Sequence, residues 1–106
     1  MPAHEALAEF TRWLAAERRS SAKTVEAYQR DVADFLGFMN QHLGGEPSVG
    51  ELARLSRHDV IAWLAHRRSQ DNLAATSRAR AASSIRAFFK FLDRRLDAPN
   101  ARALMF

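Results

Sequence analysis

Apolar residues in this chain recur at spacings of three and four and almost nowhere alternate one by one, which is the period of helices and not of strands. Ala6, Leu7, Phe10, Trp13 and Leu14 form the first such stripe and predict a helix over residues 3–18, ended by the polar break Arg19-Ser20-Ser21. Val25, Tyr28, Val32, Phe35, Leu36, Met39 and Leu43 form the longest stripe and predict a second helix over 22–43. Ser21 stands where an N-cap belongs, and Gly44-Gly45 stands where helices commonly end. Residues 46–55 read as a connector with one short helical turn at 49–54. Ser56 then caps a helix over 57–69, with Asp59 in the first turn, where a carboxylate suits the helix dipole, and with Val60, Ile61, Trp63 and Leu64 facing inward. Gln70-Asp71-Asn72 reads as a polar loop. The last long helix covers 75–96, with Ala82, Ile85, Phe88, Phe89, Leu92 and Leu96 as its core stripe, and Asp97-Ala98-Pro99-Asn100 breaks it. Good helix formers dominate and no hairpin signal occurs, so the expected fold is all-α, a compact bundle of four to five helices. Leu104-Met105-Phe106 would leave three exposed apolar residues at the end, as if the chain were cut at a domain boundary.

With 106 residues, 47% hydrophobic and 26% charged, the chain has the size and composition of one soluble globular domain. It has no cysteine, which excludes disulfides, thiolate metal sites and cysteine nucleophiles. No apolar run approaches the ~18 residues of a membrane span. The first residues, MPAHEALAEF, lack the basic cluster of a secretory signal, so a cytoplasmic protein without a membrane partner is expected. His4, His42, His58 and His66 have no metal-ligand spacing and read as solvated side chains. A Gly-rich phosphate loop is absent, and no cofactor is implied. Tyr28, the sole tyrosine, lies on the apolar stripe, so its ring reads as core packing.

Charge changes this picture more than composition does. The formal charge is +4, and fourteen of the sixteen basic residues are arginine, whose planar fork matches phosphate and guanine. Basic and acidic blocks alternate: residues 31–51 carry four acids and no base, whereas residues 72–95 carry six bases and one acid, Asp93. On the helical wheel, Lys23, Ala27, Arg30 and Asp34 fall opposite the core stripe of the second long helix. Thr76, Arg80, Ser83, Ala87, Lys90 and Arg94 fall opposite Ile85. Small and hydroxyl side chains between arginines allow close approach to a polyanion, and hydroxyls bond phosphate oxygens. The other class of function open to such a chain is a helical protein–protein interaction module that binds acidic protein surfaces.

The segment Ser21-Ala22-Lys23-Thr24-Val25-Glu26-Ala27-Tyr28-Gln29-Arg30-Asp31-Val32, followed by Phe35-Leu36, resembles the S-x-x-T-x-x-x-Y-x-x-D-L…F helix of the tyrosine recombinases. Ser83-Ser84-Ile85-Arg86-Ala87-Phe88-Phe89-Lys90-Phe91-Leu92 is similar to their L-S-A-L-R-x-F-F-x-F-L helix. Phe10 to Arg19 and Asp59 to Leu64 fit the same order, so the resemblance spans nearly the whole chain. It points to the N-terminal, core-binding, SAM-like domain of phage integrases and Xer recombinases, with a texture nearest the XerC-like branch.

The resemblance implies an orthogonal SAM-like bundle at 1–97 and the start of an interdomain linker at 98–106, with catalysis in a further domain. None of the four histidines is followed by Arg at the third position, as the family's catalytic His-x-x-Arg requires. It implies double-stranded DNA as partner, contacted by Lys23, Thr24, Ala27 and Arg30 and by Thr76, Ser77, Arg80 and Ser83. It also implies a second Xer-type subunit, four subunits assembling on two DNA sites. Two positions depart from the family: Ala81, where relatives often carry a base, and Ala82, where they carry Leu. The first would remove a phosphate contact, and the second would loosen the local core.

Overall fold

The computed structural model describes residues 1–70 and 74–106, so of the polar loop expected at 70–72 both Asp71 and Asn72 lie outside the described residues. Five α-helices follow one another: α1 (Ala3–Ala16), α2 (Ala22–Leu43), α3 (Val49–Leu52), α4 (Arg57–Gln70) and α5 (Ala75–Leu96). A 3-10 turn follows at Arg102–Leu104, and no strand occurs among the described residues. The expected all-α bundle is therefore the fold, with α2 and α5 at the predicted lengths.

Local chemistry explains the ends of these helices. The Ser21 hydroxyl accepts the Thr24 backbone N–H at 3.1 Å, and Gly44 closes α2 at a φ of 80°, where a side chain would be strained. In α3, Ser48 and Glu51 form a reciprocal capping box, which lets a four-residue helix persist. At the start of α4, one carboxylate oxygen of Asp59 accepts both the backbone N–H and the hydroxyl of Ser56. Asp97, at a φ of 53°, ends α5 without a glycine, and its N–H donates to the Leu92 carbonyl. Asp is among the few residues that visit this region readily.

The core lies where α1, α2, α4 and α5 cross. Phe10, Leu14, Phe35, Met39, Trp63, Ile85, Phe88, Phe89 and Leu92 are all buried. Phe35 sits between Trp63 and Phe89, with ring centroids 5.3 and 6.0 Å away and both pairs edge-to-face. Phe10 meets Phe88 in the same way at 5.3 Å. Such pairs add about 0.5–1.5 kcal/mol each beyond simple area burial. The N-terminus is tied to the connector by Ala3 N–H to the Pro47 carbonyl and Val49 N–H to the Met1 carbonyl, at 2.9 and 2.8 Å.

Several expectations fail in detail, each for a packing reason. α1 stops at Ala16, not Arg18. Ile61 is 42% exposed, because Trp63 and Val60 take the inward side of α4. Leu43 is exposed at the last turn of α2. On α5, Ile85, Phe88, Phe89 and Leu92 are buried as the stripe predicts, but Ala81 and Ser84 are fully buried too, while Ala82 and Leu96 are half-buried. Ala81 therefore sits in the core, not on a phosphate-facing surface. Asp31, one of the four acids of residues 31–51, is fully buried. Tyr28 only partly joins the core.

The last residues fold back onto the bundle. The amide of Asn100 donates to the carbonyls of Leu52 and Leu55 at 2.9 and 2.8 Å, and its oxygen accepts from Ala103 N–H. Ala98 and Ala103 are buried, Leu104 and Phe106 pack against the core, and of the three terminal apolar residues only Met105 is exposed.

Candidate nucleic-acid interface

The residues singled out on α2 occupy its first three turns. Lys23 and Arg30 are exposed, Thr24 and Ala27 half-buried. Thr24 is held by the cap, its hydroxyl oxygen accepting from Ser21 Oγ at 2.9 Å. Arg30 pairs with Glu26, one turn away at 3.8 Å. On α5, Thr76 and Ser83 are exposed and Ser77 is half-buried. The helix begins at Ala75, and its N-cap residue Ala74 offers no side-chain cap.

Arg80 behaves differently from the rest. Its Nε and Nη2 donate to Oδ2 and Oδ1 of Asp31 at 2.9 and 3.1 Å. Hydrogen bonding from this carboxylate raises the Arg80 pKa above its ordinary value, overcoming partial desolvation. Asp31 also faces Ser84 Oγ at 3.4 Å and Arg67 Nη1 at 3.5 Å. Arg67 in turn reaches Asp34 at 3.5 Å and lies over the Trp63 ring, 5.5 Å from its centroid. Asp34 accepts the Trp63 indole N–H at 2.8 Å. One charged network thus joins α2, α4 and α5 beneath the start of α5. Sequence reasoning missed it, although a signal was present. Asp31 lies three residues after Tyr28 and four before Phe35, on the register of the apolar stripe, where a carboxylate must find partners.

A cleft of about 690 Å³ opens between the end of α1, the first turns of α2 and the middle and end of α5. Its basic lining is Arg18, Arg86, Lys90, Arg94 and Arg95. Trp13, Tyr28 and Phe91 form its aromatic floor, so the half-buried Tyr28 contributes surface as well as packing. Arg18 lies over the Trp13 ring at 5.8 Å, and Arg95 pairs with Glu17. Arg86 donates to the Phe106 carbonyl at 2.6 Å. Ser83 belongs both to this cleft and to the predicted face of α5, and thereby joins the two. No hydrogen bond or ion pair among the described residues links Lys23 or Arg30 to α5.

The family model of the phage integrase N-terminal SAM-like domain matches residues 7–95. The chain belongs to this family. Curated relatives of this integrase-family domain are named tyrosine recombinase XerC. The one from Rhodospirillum centenum is 40% identical over 92 residues, covering 87% of this chain and 27% of the relative. Those from Mesorhizobium japonicum and Bradyrhizobium diazoefficiens are 42% and 44% identical, covering 86% and 81% of this chain and 30% and 27% of the relatives. The chain thus spans under a third of the length of the relatives it matches. No solved structure matches it significantly.

Within this integrase-family domain the match begins at Leu7 and ends at Arg95, so it takes in the charged network and all of the cleft's basic residues. Among the described residues, no group of three His, Cys, Asp or Glu side chains could hold a metal ion, and no helix is long and apolar enough to cross a membrane.

Proposed function

We propose that this domain is the DNA-gripping module of a site-specific tyrosine recombinase of the XerC kind. The observation that carries the reading is the basic surface of α5. From Arg80 through Ser83 to Lys90 and Arg94 it runs along one helix and into an arginine-rich, aromatic-floored cleft. Cations interleaved with small hydroxyls are the chemistry of phosphate contact, and arginine adds bidentate guanine readout. Relatives named tyrosine recombinase support the same conclusion. Lys23, Thr24, Ala27 and Arg30 on α2, and Thr76, Ser77, Arg80 and Ser83 on α5, form the DNA-facing set. The cutting and rejoining chemistry belongs to another part of the parent recombinase, beyond a linker that starts in 98–106. With a second Xer-type subunit as partner, four subunits assemble on two DNA sites in the cytoplasm. They resolve chromosome dimers or integrate DNA.

The test is titration with duplex DNA at several salt concentrations. If about five phosphates are neutralised, the log–log salt slope is near −4 to −5, with dissociation constants of about 10⁻⁴–10⁻⁶ M for a lone module. Arg80→Ala in the full recombinase should cost about 1–3 kcal/mol at the cognate site and relax preference at one base pair. Lys23→Ala should weaken all sequences alike and lower the slope by about 1. A response flat in salt, or no binding at low salt, rejects the reading and favours a module for acidic protein surfaces.

A further inference from the structure

A guanidinium carries five N–H groups on a rigid plane. In Arg80, the Nε N–H and one N–H of Nη2 are engaged side-on by Asp31. Asp31 is wholly buried, whereas the Arg80 side chain keeps 34% of its surface exposed. The opposite edge, built from Nη1 and the second N–H of Nη2, points away from that buried carboxylate. That edge makes no hydrogen bond to the described residues. It is also fixed in orientation, because two bonds to one carboxylate set the plane of the group. The carboxylate is itself immobilised by Ser84 from α5 and by Arg67 from α4.

We propose that Asp31 is a positioning residue for DNA recognition: it pins one edge of Arg80 so that the other stands ready as a bidentate donor. The matching acceptors are two oxygens of a backbone phosphate or the O6 and N7 of a guanine. The inference rests on the DNA-binding reading above. Its physical content is preorganisation. A free arginine must give up side-chain rotamer freedom when it binds, and Arg80 has already done so on folding. The exposed hydroxyls of Thr76, one turn before, and Ser83, one turn after, flank the same approach.

Two physical effects of Asp31 on DNA binding have opposite signs, and this makes the inference testable. If Asp31 acts only as a negative charge near a polyanion, Asp31→Asn tightens binding. If it positions Arg80, Asp31→Asn weakens binding although it removes a negative charge. The experiment measures affinity of the chain for a duplex of G·C pairs only and one of A·T pairs only, at fixed low salt, with helical content followed by circular dichroism. Asp31→Asn should lose about 5-fold or more in affinity, as Arg80→Ala does. In the Arg80→Ala background it should change affinity by less than about 2-fold, since the two act as one unit. Arg80→Lys, which keeps the charge but has no second edge, should lose as much as Arg80→Ala. Loss on both duplexes assigns the edge to phosphate, and loss confined to the G·C duplex assigns it to guanine; either supports the proposal. Unchanged or tighter binding by Asp31→Asn, with the unaltered chain binding normally, overturns the proposal alone. Failure of the unaltered chain to bind either duplex overturns the DNA-binding reading and this inference with it. Should Asp31→Asn lose its helical content, Arg80→Lys decides: full affinity overturns the inference, and loss supports it.

Discussion

Arg30 on α2 and Arg80 on α5 occupy comparable places on their helical wheels, both away from the apolar stripe, and each has an acidic neighbour. Their surroundings differ completely. Arg30 is 63% exposed, and its partner Glu26, at 3.8 Å, is 74% exposed. Arg80 is 34% exposed, and its partner Asp31, at 2.9 Å, is fully buried. The first pair belongs to one helix and lies in water, so it adds little to stability. The second joins two helices in a low-dielectric setting, where each charge depends on the other. The surface proposed to face DNA thus has a mobile side on α2 and a fixed side on α5. A solvated lysine or arginine suits uniform attraction to phosphate, and an immobilised arginine suits readout of a defined acceptor pair.

The sharpest way to break this comparison is to delete the acid from each pair. Asp31→Ala should lower unfolding stability by about 3–5 kcal/mol, because it removes the buried carboxylate that Arg80 and Arg67 share across three helices. Glu26→Ala should change it by less than about 0.5 kcal/mol. Urea unfolding of the two variants measures both, and equal losses would erase the distinction between a fixed and a mobile side.

The same contrast extends to neutral groups. Asn100 is buried, and its amide supplies two otherwise enclosed carbonyls, those of Leu52 and Leu55. Asn100→Ala should cost about 1–3 kcal/mol. It should also release 98–106 from the bundle, which limited proteolysis would detect as a new cut in that segment. At the mobile side the expected effect is smaller. Ser21→Ala removes the α2 cap and should cost about 1 kcal/mol. Amide exchange should speed up in the first turn of α2 and stay unchanged in α5.

The smallest effect concerns another solvent-facing pair. Glu46 accepts the His4 ring and backbone N–H, and these hydrogen bonds hold its pKa below the ordinary value. A carboxylate with a depressed folded-state pKa contributes stability that is present above its unfolded-state pKa. That contribution disappears as pH falls through the folded-state value. Glu46→Gln should therefore flatten the acid limb of the stability curve slightly and leave the fold unchanged at neutral pH. A thermal unfolding series from neutral to acid pH checks this.

How far the chain could be read from sequence follows from the same physics. The helices were legible because apolar periodicity, a serine cap and a terminal glycine are local signals. They placed α2 and α5 at their observed bounds. The basic face of α5 was legible too, since six bases against one acid in residues 72–95 need no tertiary information. Illegible from sequence were the burial of Ala81 and Ser84 on α5 and the exposure of Ile61. A helix fixes which residues share a face, but the neighbouring helix fixes which part of that face is covered.

The sequence by itself determined an all-α chain, the lengths of its two long helices and the concentration of arginine on α5. Each of these depends on residues within a few turns of one another. Only the tertiary structure decided that Asp31 leaves solvent, that it takes Arg80 from 49 residues away, and that Arg67 closes the network from a third helix. The cleft floored by Trp13, Tyr28 and Phe91 is of the same kind, since it is assembled from α1, α2 and α5. Burial of a charge is a property of the space between helices. Its energy is set by partners that no local pattern names, so the surroundings of Arg80 were decided only by the packing of α2, α4 and α5 around it.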